Sequence, residues 1–302
     1  MERDIADQSG RTVLITGANS GLGLRAAVVL AGKGARVLMG CRSLERGRRA
    51  LAEVGSPEAE LVELDLADLS SVRATAATVR ERTGDRLDVL MNNAGITGTP
   101  FGRTADGFES QFGTNHLGHA ALTWLLMPAL RNGAEARVVT VSSIAHRGPG
   151  LDLDDPNFEH RTYRAHLAYA QSKRANLIFA FELDRRLRAA GSSVRSIAAH
   201  PGMTNTELFP NALKNRGRLA VKASRVFNAI ATQSVDAGTL PQLYAATSPT
   251  AQGGEYYGPG GPFEIAGKVG RARPNPKATD EGTGRRLWEL TAELTGVTPD
   301  PS

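Results

Sequence analysis

Tyr169 and Lys173 stand four residues apart in the run AYAQSK. On a helix that spacing puts both side chains on one face. A free tyrosine titrates near pH 10 and is a poor acid or base at neutral pH. A lysine ammonium about 4 Å away, at an effective dielectric of about 20, would favour the phenolate by about 4 kcal/mol. That lowers the phenol by about 3 pH units, close to working pH. Such a tyrosine can give a proton to a carbonyl oxygen or take one from an alcohol. With 5 Tyr and six Lys in 302 residues, one pair at this spacing arises by chance about 0.1 times. Alone it reads as a core-facing Tyr beside a surface Lys, so it needs company.

Two further groups supply that company. The apolar run Arg137–Val141 ends in Ser142-Ser143. A hydroxyl at the C-terminal end of such a strand can hydrogen-bond a developing oxyanion, or it can cap the next helix. Asn115 sits in TNHLGH, inside a helical stretch. Asparagine is disfavoured in a helix interior, so a specific hydrogen bond is expected of it. His116 and His119 lie three apart, and His146, His160, His166 and His200 are spread out, without ligand partners at set spacing. No metal site is expected.

An anion-binding loop precedes these residues. The run Thr12–Thr16 leads into TGANSGLG, with Gly17, Gly21 and Gly23. Glycine lets backbone N–H groups approach a pyrophosphate, and a helix starting there turns its positive end to the anion. The spacing alone is weak evidence. A strand before it, a helix after it and a place at the head of the chain are what a dinucleotide fold requires. The second strand ends at Cys41, where an NAD-preferring site usually has an acid for the ribose 2′-hydroxyl. Arg42 follows, and a guanidinium can fork onto a 2′-phosphate. NADP(H) is therefore expected over NAD(H), with Arg46 as a helper. Arg25 reads as a solvated surface residue and Cys41 as a spacer, not a reactive thiol.

These groups need a frame to hold them. Thr12–Thr16, Arg36–Met39, Glu60–Leu64, Leu87–Met91, Arg137–Val141 and Val194–Ala199 are short, β-branched-rich runs that read as strands. Between them Gly21–Lys33, Leu44–Val54, Leu69–Arg82, Gly107–Leu130 and Arg164–Ala190 are long enough for helices. The alternation predicts an α/β fold: a doubly wound (Rossmann) parallel sheet with helices on both faces, in a single domain. The strands are too apolar to have one face in water. Residues 1–10 read as a leader, 11–200 as the cofactor-binding and catalytic core, 201–266 as a pocket region with a last strand, and 267–302 as a C-terminal extension. In the last two parts Thr204–Ala231 reads as a segment over the site, Val235–Ala246 as a helix and Gly254–Gly261 as a short strand. Gly267–Thr279 reads as loop, and Asp280–Leu294 as a helix capped by Asp280.

The chain carries 36 Lys and Arg against 31 Asp and Glu, a net charge of +5. The cations are scattered, so a nucleic-acid surface is not expected. Cys41 is the sole cysteine, which excludes an intrachain disulfide and suits a reducing compartment. No window of 18 apolar residues marks a membrane span, and the start MERDIADQSG lacks the pattern of a signal peptide. A cytoplasmic protein is expected.

Taken in order, TGANSGLG, Asp65-Leu66, NNAG at Asn92–Gly95, Asn115, Ser143, Tyr169, Lys173 and Pro201-Gly202 resemble the short-chain dehydrogenase/reductase family. The resemblance is to its compact branch with the TGxxxGxG loop and runs over about Thr12–Thr206. Within the family, CRS after the second strand, NHLGH and AYAQSKRAN resemble the retinol-dehydrogenase and protochlorophyllide-reductase-like group. The resemblance implies hydride transfer between nicotinamide and a hydrophobic carbonyl or alcohol. It makes Tyr169 the general acid/base, while Lys173 lowers its pKa and holds the nicotinamide ribose. Ser143, rather than Ser142, orients the carbonyl, and Asn115 carries a water relay to Lys173. It implies cofactor contacts from Gly17, Asn19, Ser20, Gly21, Leu22, Gly23 and Arg42. Asp65 and Leu66 would meet the adenine, Asn93, Ala94 and Gly95 would line the cofactor, and Pro201, Gly202 and Thr206 would lie beside the nicotinamide. Members often pair as dimers or tetramers, while those resembling retinol dehydrogenases and those with long C-terminal tails can be monomers. The insert Asp152–Arg164 between Ser143 and Tyr169 is expected to form a rim of the pocket. Two other readings have counter-evidence in the residues. Nucleotide-sugar epimerases and dehydratases usually carry a GxxGxxG loop, unlike Gly17, Gly21 and Gly23. A non-enzymatic NADP(H) sensor or scaffold usually loses the Tyr or the Lys, and both are present. A light-driven reductase would need an active-site cysteine, which Cys41 at the cofactor end is not.

Overall fold

The computed structural model describes residues 2–203 and 233–301. Its strands are β1 (Thr12–Thr16), β2 (Arg36–Cys41), β3 (Ala59–Glu63), β4 (Val89–Asn92), β5 (Arg137–Val141), β6 (Arg195–Ala199), β7 (Tyr256–Pro259) and β8 (Val269–Arg271). They form one sheet in the order β3-β2-β1-β4-β5-β6-β7-β8. The first seven are parallel, and β8 runs antiparallel to β7. The longer helices are α1 (Gly21–Ala31), α2 (Leu44–Val54), α3 (Leu69–Arg82), α4 (Gly118–Arg131), α5 (Ala165–Ala189), α6 (Val235–Thr247) and α7 (Glu281–Thr295).

Alternation along the strands decides the layers. Leu14 is in register with Leu38 and Leu90, and Leu90 with Val138. These side chains pack with residues of α3, α4 and α5 such as Val72, Trp124 and Phe179. The intervening Val13, Ile15, Val37, Met39 and Met91 point the other way, onto α1 and α6. A sheet covered on both faces must be apolar on both, as these strands are. Side chains of Ser43, Asp68, Ser234 and Asp280 accept the first backbone N–H groups of α2, α3, α6 and α7. The order in which strands are added reverses between β3 and β4, which lie on opposite sides of β1. The crevice of such a sheet opens at this switch point, beyond the C-terminal ends of β1 and β4.

Two expectations change. Gly267–Thr279 is not all loop, because Val269–Arg271 pairs with β7 through Pro259↔Val269, Gly258↔Gly270 and Tyr257↔Arg271. Three residues with a central glycine carry no periodicity, so only pairing reveals this strand. The helix expected from Gly107 instead begins with a short turn, Ser110–Phe112, followed by a π turn, Gly113–Leu117, before α4. Wide π turns often accompany functional sites.

The C-terminal helix α7 docks on α4 and α5. Trp288 stacks on Phe179 with centroids 5.6 Å apart and meets Trp124 edge-on at 4.9 Å. The Arg186 guanidinium lies 4.7 Å from the Trp288 centroid. Both indole N–H groups are buried without an acceptor among the described residues, so packing holds this cluster. Trp288→Ala is expected to lower stability by about 3–5 kcal/mol through the cavity it leaves, read as the shift in a urea unfolding midpoint. Among the described residues no helix is long and apolar enough to cross a membrane.

Candidate active site

The crevice at the switch point is lined by Gly17, Asn19, Ser20, Gly21, Leu22, Gly23, Arg42, Arg46, Asp65, Leu66, Asn93, Ala94, Gly95 and Ile96. The expected cofactor residues thus share one cleft, except Tyr169 and Lys173 on α5, Pro201 and Gly202, which follow β6, and Thr206, which lies outside the described residues. Gly23 is forced by close approach: a Cβ there would fall 2.4 Å from the Gly17 carbonyl oxygen. Ser20 precedes α1 in an extended conformation and makes no side-chain cap, and the first turn of α1 holds no acid. The positive end of α1 is therefore left for an anion. That donor set fits a pyrophosphate.

Thr16, which the sequence reading passed over, organises the floor. Its Oγ1 accepts from the backbone N–H of Asn93 (3.0 Å) and of Ala94 (2.9 Å) and lies 2.8 Å from His119 Nε2. His119 Nδ1 donates to the Asn115 carbonyl, 2.9 Å away, so Nε2 is the free acceptor and Thr16 donates to it. Burial holds His119 down to about 4 and therefore neutral. The second histidine of NHLGH was the available signal: it is a strut between Thr16 and the Asn115 carbonyl. Among the described residues no group of His, Cys, Asp and Glu could hold a metal ion.

Asn115 lies in the π turn, fully buried. Its Oδ1 accepts from Ile96 N–H (2.8 Å), and its Nδ2 donates to the Ile96 carbonyl (2.9 Å) and Ser172 Oγ (2.9 Å). The expected specific hydrogen bond is thus a two-way clasp on the chain after Gly95. A Cβ on Gly95 would sit 3.3 Å from both Asn115 Oδ1 and Lys173 Nζ, so these groups meet at one point. Lys173 Nζ donates to the Val141 carbonyl at 3.0 Å and lies 5.9 Å from the Tyr169 ring centroid. The two serines separate by strand alternation. Ser142 is buried and donates to the Lys173 carbonyl at 2.7 Å. Ser143 is half-buried, accepts from Ala145 N–H at 3.2 Å, and its side chain interacts with the Tyr169 phenol.

The electrostatics differ from the sequence expectation. Burial pushes the Tyr169 phenol above its ordinary value, and the interaction with Ser143 pulls it partly back. Burial also pushes Lys173 down to about 8. The expected lowering assumed an ammonium about 4 Å from the phenol at high dielectric; here Lys173 turns to a backbone carbonyl, and desolvation dominates. Lys173 retains more charge when unfolded, so between about pH 8 and pH 10.5 the unfolded chain binds more protons and stability rises with pH. Below pH 8 the penalty is complete. Lys173→Met is therefore expected to be more stable than wild type at pH 7 and to lose that advantage above pH 10, as urea titrations at the two pH values would read.

Other expected residues find plain partners. Arg42 and Arg46 are exposed, with no acidic partner among the described residues. Arg25 instead pairs with Glu2 (2.6 Å) and Asp236 (2.7 Å). Cys41 is buried, and its thiol is pushed up to about 11 by burial. Asp65 Oδ1 accepts from Ala67 N–H at 3.0 Å. In the Asp152–Arg164 insert, the Tyr163 hydroxyl donates to the Thr99 carbonyl (2.9 Å) and accepts from Gln111 Nε2 (2.9 Å). That sets the insert beside the chain leaving Ile96.

A family model described as short chain dehydrogenase matches residues 11–217. Human retinol dehydrogenase 14 is 39% identical over 310 residues, covering 95% of this chain and 87% of that protein. Mouse polyprenol dehydrogenase is 39% identical, covering 96% of this chain and 85% of that one. A crystal structure of an uncharacterized protein from Mycobacterium paratuberculosis superposes with a TM-score of 0.81 at 42% identity, covering 98% and 97% of the two chains. The chain belongs to the short-chain dehydrogenase family and is an oxidoreductase of the kind that works with a nicotinamide cofactor.

Proposed function

We propose that this protein moves a hydride between NADP(H) and a carbonyl or alcohol carbon, with Tyr169 as general acid/base. The observation that carries the reading is the meeting of Tyr169, Ser143, Lys173 and Asn115 beside the glycine cleft. A nicotinamide dinucleotide, when bound, supplies the hydride. The chain's own groups do the rest. A phenol pushed up by burial stays protonated at neutral pH and is set to donate to a carbonyl oxygen, which favours reduction. Ser143 orients that oxygen through its hydroxyl. Lys173 has donors beyond the one given to Val141, and they would hold the nicotinamide ribose. Asn115 fixes the wall at Gly95 and Ile96 and joins a water relay to Lys173. Gly17, Asn19, Ser20, Gly21, Leu22 and Gly23 would hold the pyrophosphate, and Asp65 and Leu66 the adenine. Asn93, Ala94 and Gly95 would line the cofactor, and Pro201 and Gly202 the nicotinamide. Arg42 and Arg46, exposed after a strand that ends in Cys41 instead of an acid, would take a 2′-phosphate.

The substrate is proposed to be an apolar alcohol or its carbonyl. Relatives named for retinol and for polyprenol, both long apolar alcohols, support this class. The test is a nicotinamide-fluorescence titration with NADPH and NADH in parallel, followed by turnover on a panel of apolar aldehydes and ketones. Tighter NADPH and turnover on the panel are expected. NADH preference would overturn the Arg42 argument, and binding of neither would overturn the reading.

A further inference from the structure

We infer that Glu264 is a positioning residue that clamps together the turn carrying Ser143 and the turn carrying Pro201-Gly202. The inference rests on the proposed reading of those turns as the substrate-oxygen and nicotinamide ends of the site. Glu264 is remote in sequence from both turns. Its side chain is only 13% exposed, although it sits in a surface connection between β7 and β8. One oxygen, Oε2, accepts from Arg147 Nη2 at 2.6 Å and from His200 Nε2 at 3.2 Å. The other, Oε1, accepts from the backbone N–H of Arg273 at 2.9 Å.

Both side-chain partners lead into the site. Arg147 closes the single 3-10 turn, Ile144–Arg147, that Ser143 caps. His200 directly precedes Pro201 and is buried. Its Nδ1 accepts from the Gly202 backbone N–H at 3.2 Å, so in the neutral ring Nε2 carries the proton and donates to Glu264. Burial pushes the ring below its ordinary value, toward the neutral form, against the pull of the Glu264 carboxylate. His200 therefore hands the position of Glu264 straight to the Gly202 amide. The same connection touches that turn again: Met203 N–H donates to the Ile265 carbonyl at 3.0 Å. Gly202 has φ +66°, and a Cβ on it would fall 2.2 Å from the Ile265 carbonyl oxygen, so the two segments are pressed together.

The connection is strained where it makes these contacts. Phe263 and Glu264 both hold positive φ, at 54° and 59°. Neither residue type favours that region, and such geometry persists only where surrounding contacts over-determine it. Phe263 contributes little to this, being 83% exposed. Backbone bonds from Glu264 N–H to the Gly261 carbonyl (3.0 Å) and from Gly261 N–H to the Ala266 carbonyl (3.1 Å) close the turn, and the three donors on the Glu264 carboxylate tie it to the segments around it. Two of these donors, Arg147 and His200, belong to the two turns, so the carboxylate ties one turn to the other.

The test uses the full chain, with NADPH and with 2′,5′-ADP, which carries only the adenine half. In Glu264→Ala, NADPH binding is expected to weaken severalfold while 2′,5′-ADP binding stays within twofold of wild type. The kcat/KM for an accepted carbonyl is expected to fall about 10- to 100-fold, the size of a small misplacement in a site. Glu264→Gln, which keeps an acceptor for His200 and the Arg273 amide, is expected to recover part of this loss. Unchanged NADPH binding and turnover in Glu264→Ala would overturn the inference. Equal weakening of both ligands would also overturn it, since a general loss of structure spares neither half. If the alanine variant does not fold, Arg147→Gln removes one donor from the same carboxylate at the surface, and the same split between ligands is expected. Absence of a split there counts against the inference. Wild-type protein that binds neither ligand would overturn the functional reading itself, and this inference with it.

Discussion

Tyr169→Phe is expected to lower kcat by about 10²–10⁴-fold, the usual contribution of a positioned proton donor, while NADPH binds as in wild type. The substitution removes one oxygen and keeps the ring. The ring's neighbours, including Lys173 Nζ at 5.9 Å from its centroid, lose no packing. The half-buried Ser143 loses a partner, but its hydroxyl still accepts from Ala145 N–H. The fold should therefore survive, and the loss should appear in the chemical step. Stopped-flow reduction of a good aldehyde, with a parallel NADPH titration, separates the two. A variant that keeps more than a tenth of the activity would remove Tyr169 from the acid/base role. In that case the proton would have to come from elsewhere. His146 is a poor candidate because burial lowers its pKa and its Nδ1 is committed to the Ser143 carbonyl, 2.6 Å away.

Arg42→Ala is expected to weaken NADPH by about 1.5–3 kcal/mol, as for a lost hydrogen bond to a charged group, and to leave NADH unchanged. That is a loss of roughly tenfold to more than a hundredfold in affinity. The reason is positional. Strand β2 ends in Cys41, whose buried thiol offers neither a charge to repel a phosphate nor an acceptor for a ribose hydroxyl. Arg42 is the next residue and lines the cleft together with Arg46. Equal losses for the two cofactors would mean that Arg42 contributes general positive potential, and the phosphate argument would fall. If the loss with NADPH is small, Arg46 carries the contact, which the double variant would reveal.

Much of this protein was legible because its signals are local. The glycine spacing, the run before it and the helix after it occupy adjacent residues, so backbone geometry alone relates them. Tyr169 and Lys173 share a helix face because their spacing matches the helical repeat. The six core strands announce themselves by apolar runs, and β1, α2 and α3 have the bounds read from the sequence. Even Asn115, wrong for a helix interior, pointed to the hydrogen bonds it makes.

Other features needed the fold. Strand β8 is Val269-Gly270-Arg271, and it exists because β7 lies beside it. Thr16 and His119, 103 positions apart in the chain, are ordinary residues until folding brings them within 2.8 Å. Ser142 and Ser143 differ only in which way the end of β5 turns each hydroxyl. The direction of the Tyr169 shift reversed because desolvation depends on everything packed around the phenol, and not on one neighbour four residues away. Glu264 is the extreme case, a surface-turn carboxylate whose partners, Arg147 and His200, come from two distant turns. The sequence by itself determined which residues share a strand, a helix face or a tight loop, since chain geometry sets those relations over a few residues. Only the tertiary structure decided which side chains are buried, which way adjacent hydroxyls point and which distant segments brace the site, because desolvation and long-range contacts depend on where the rest of the chain lies.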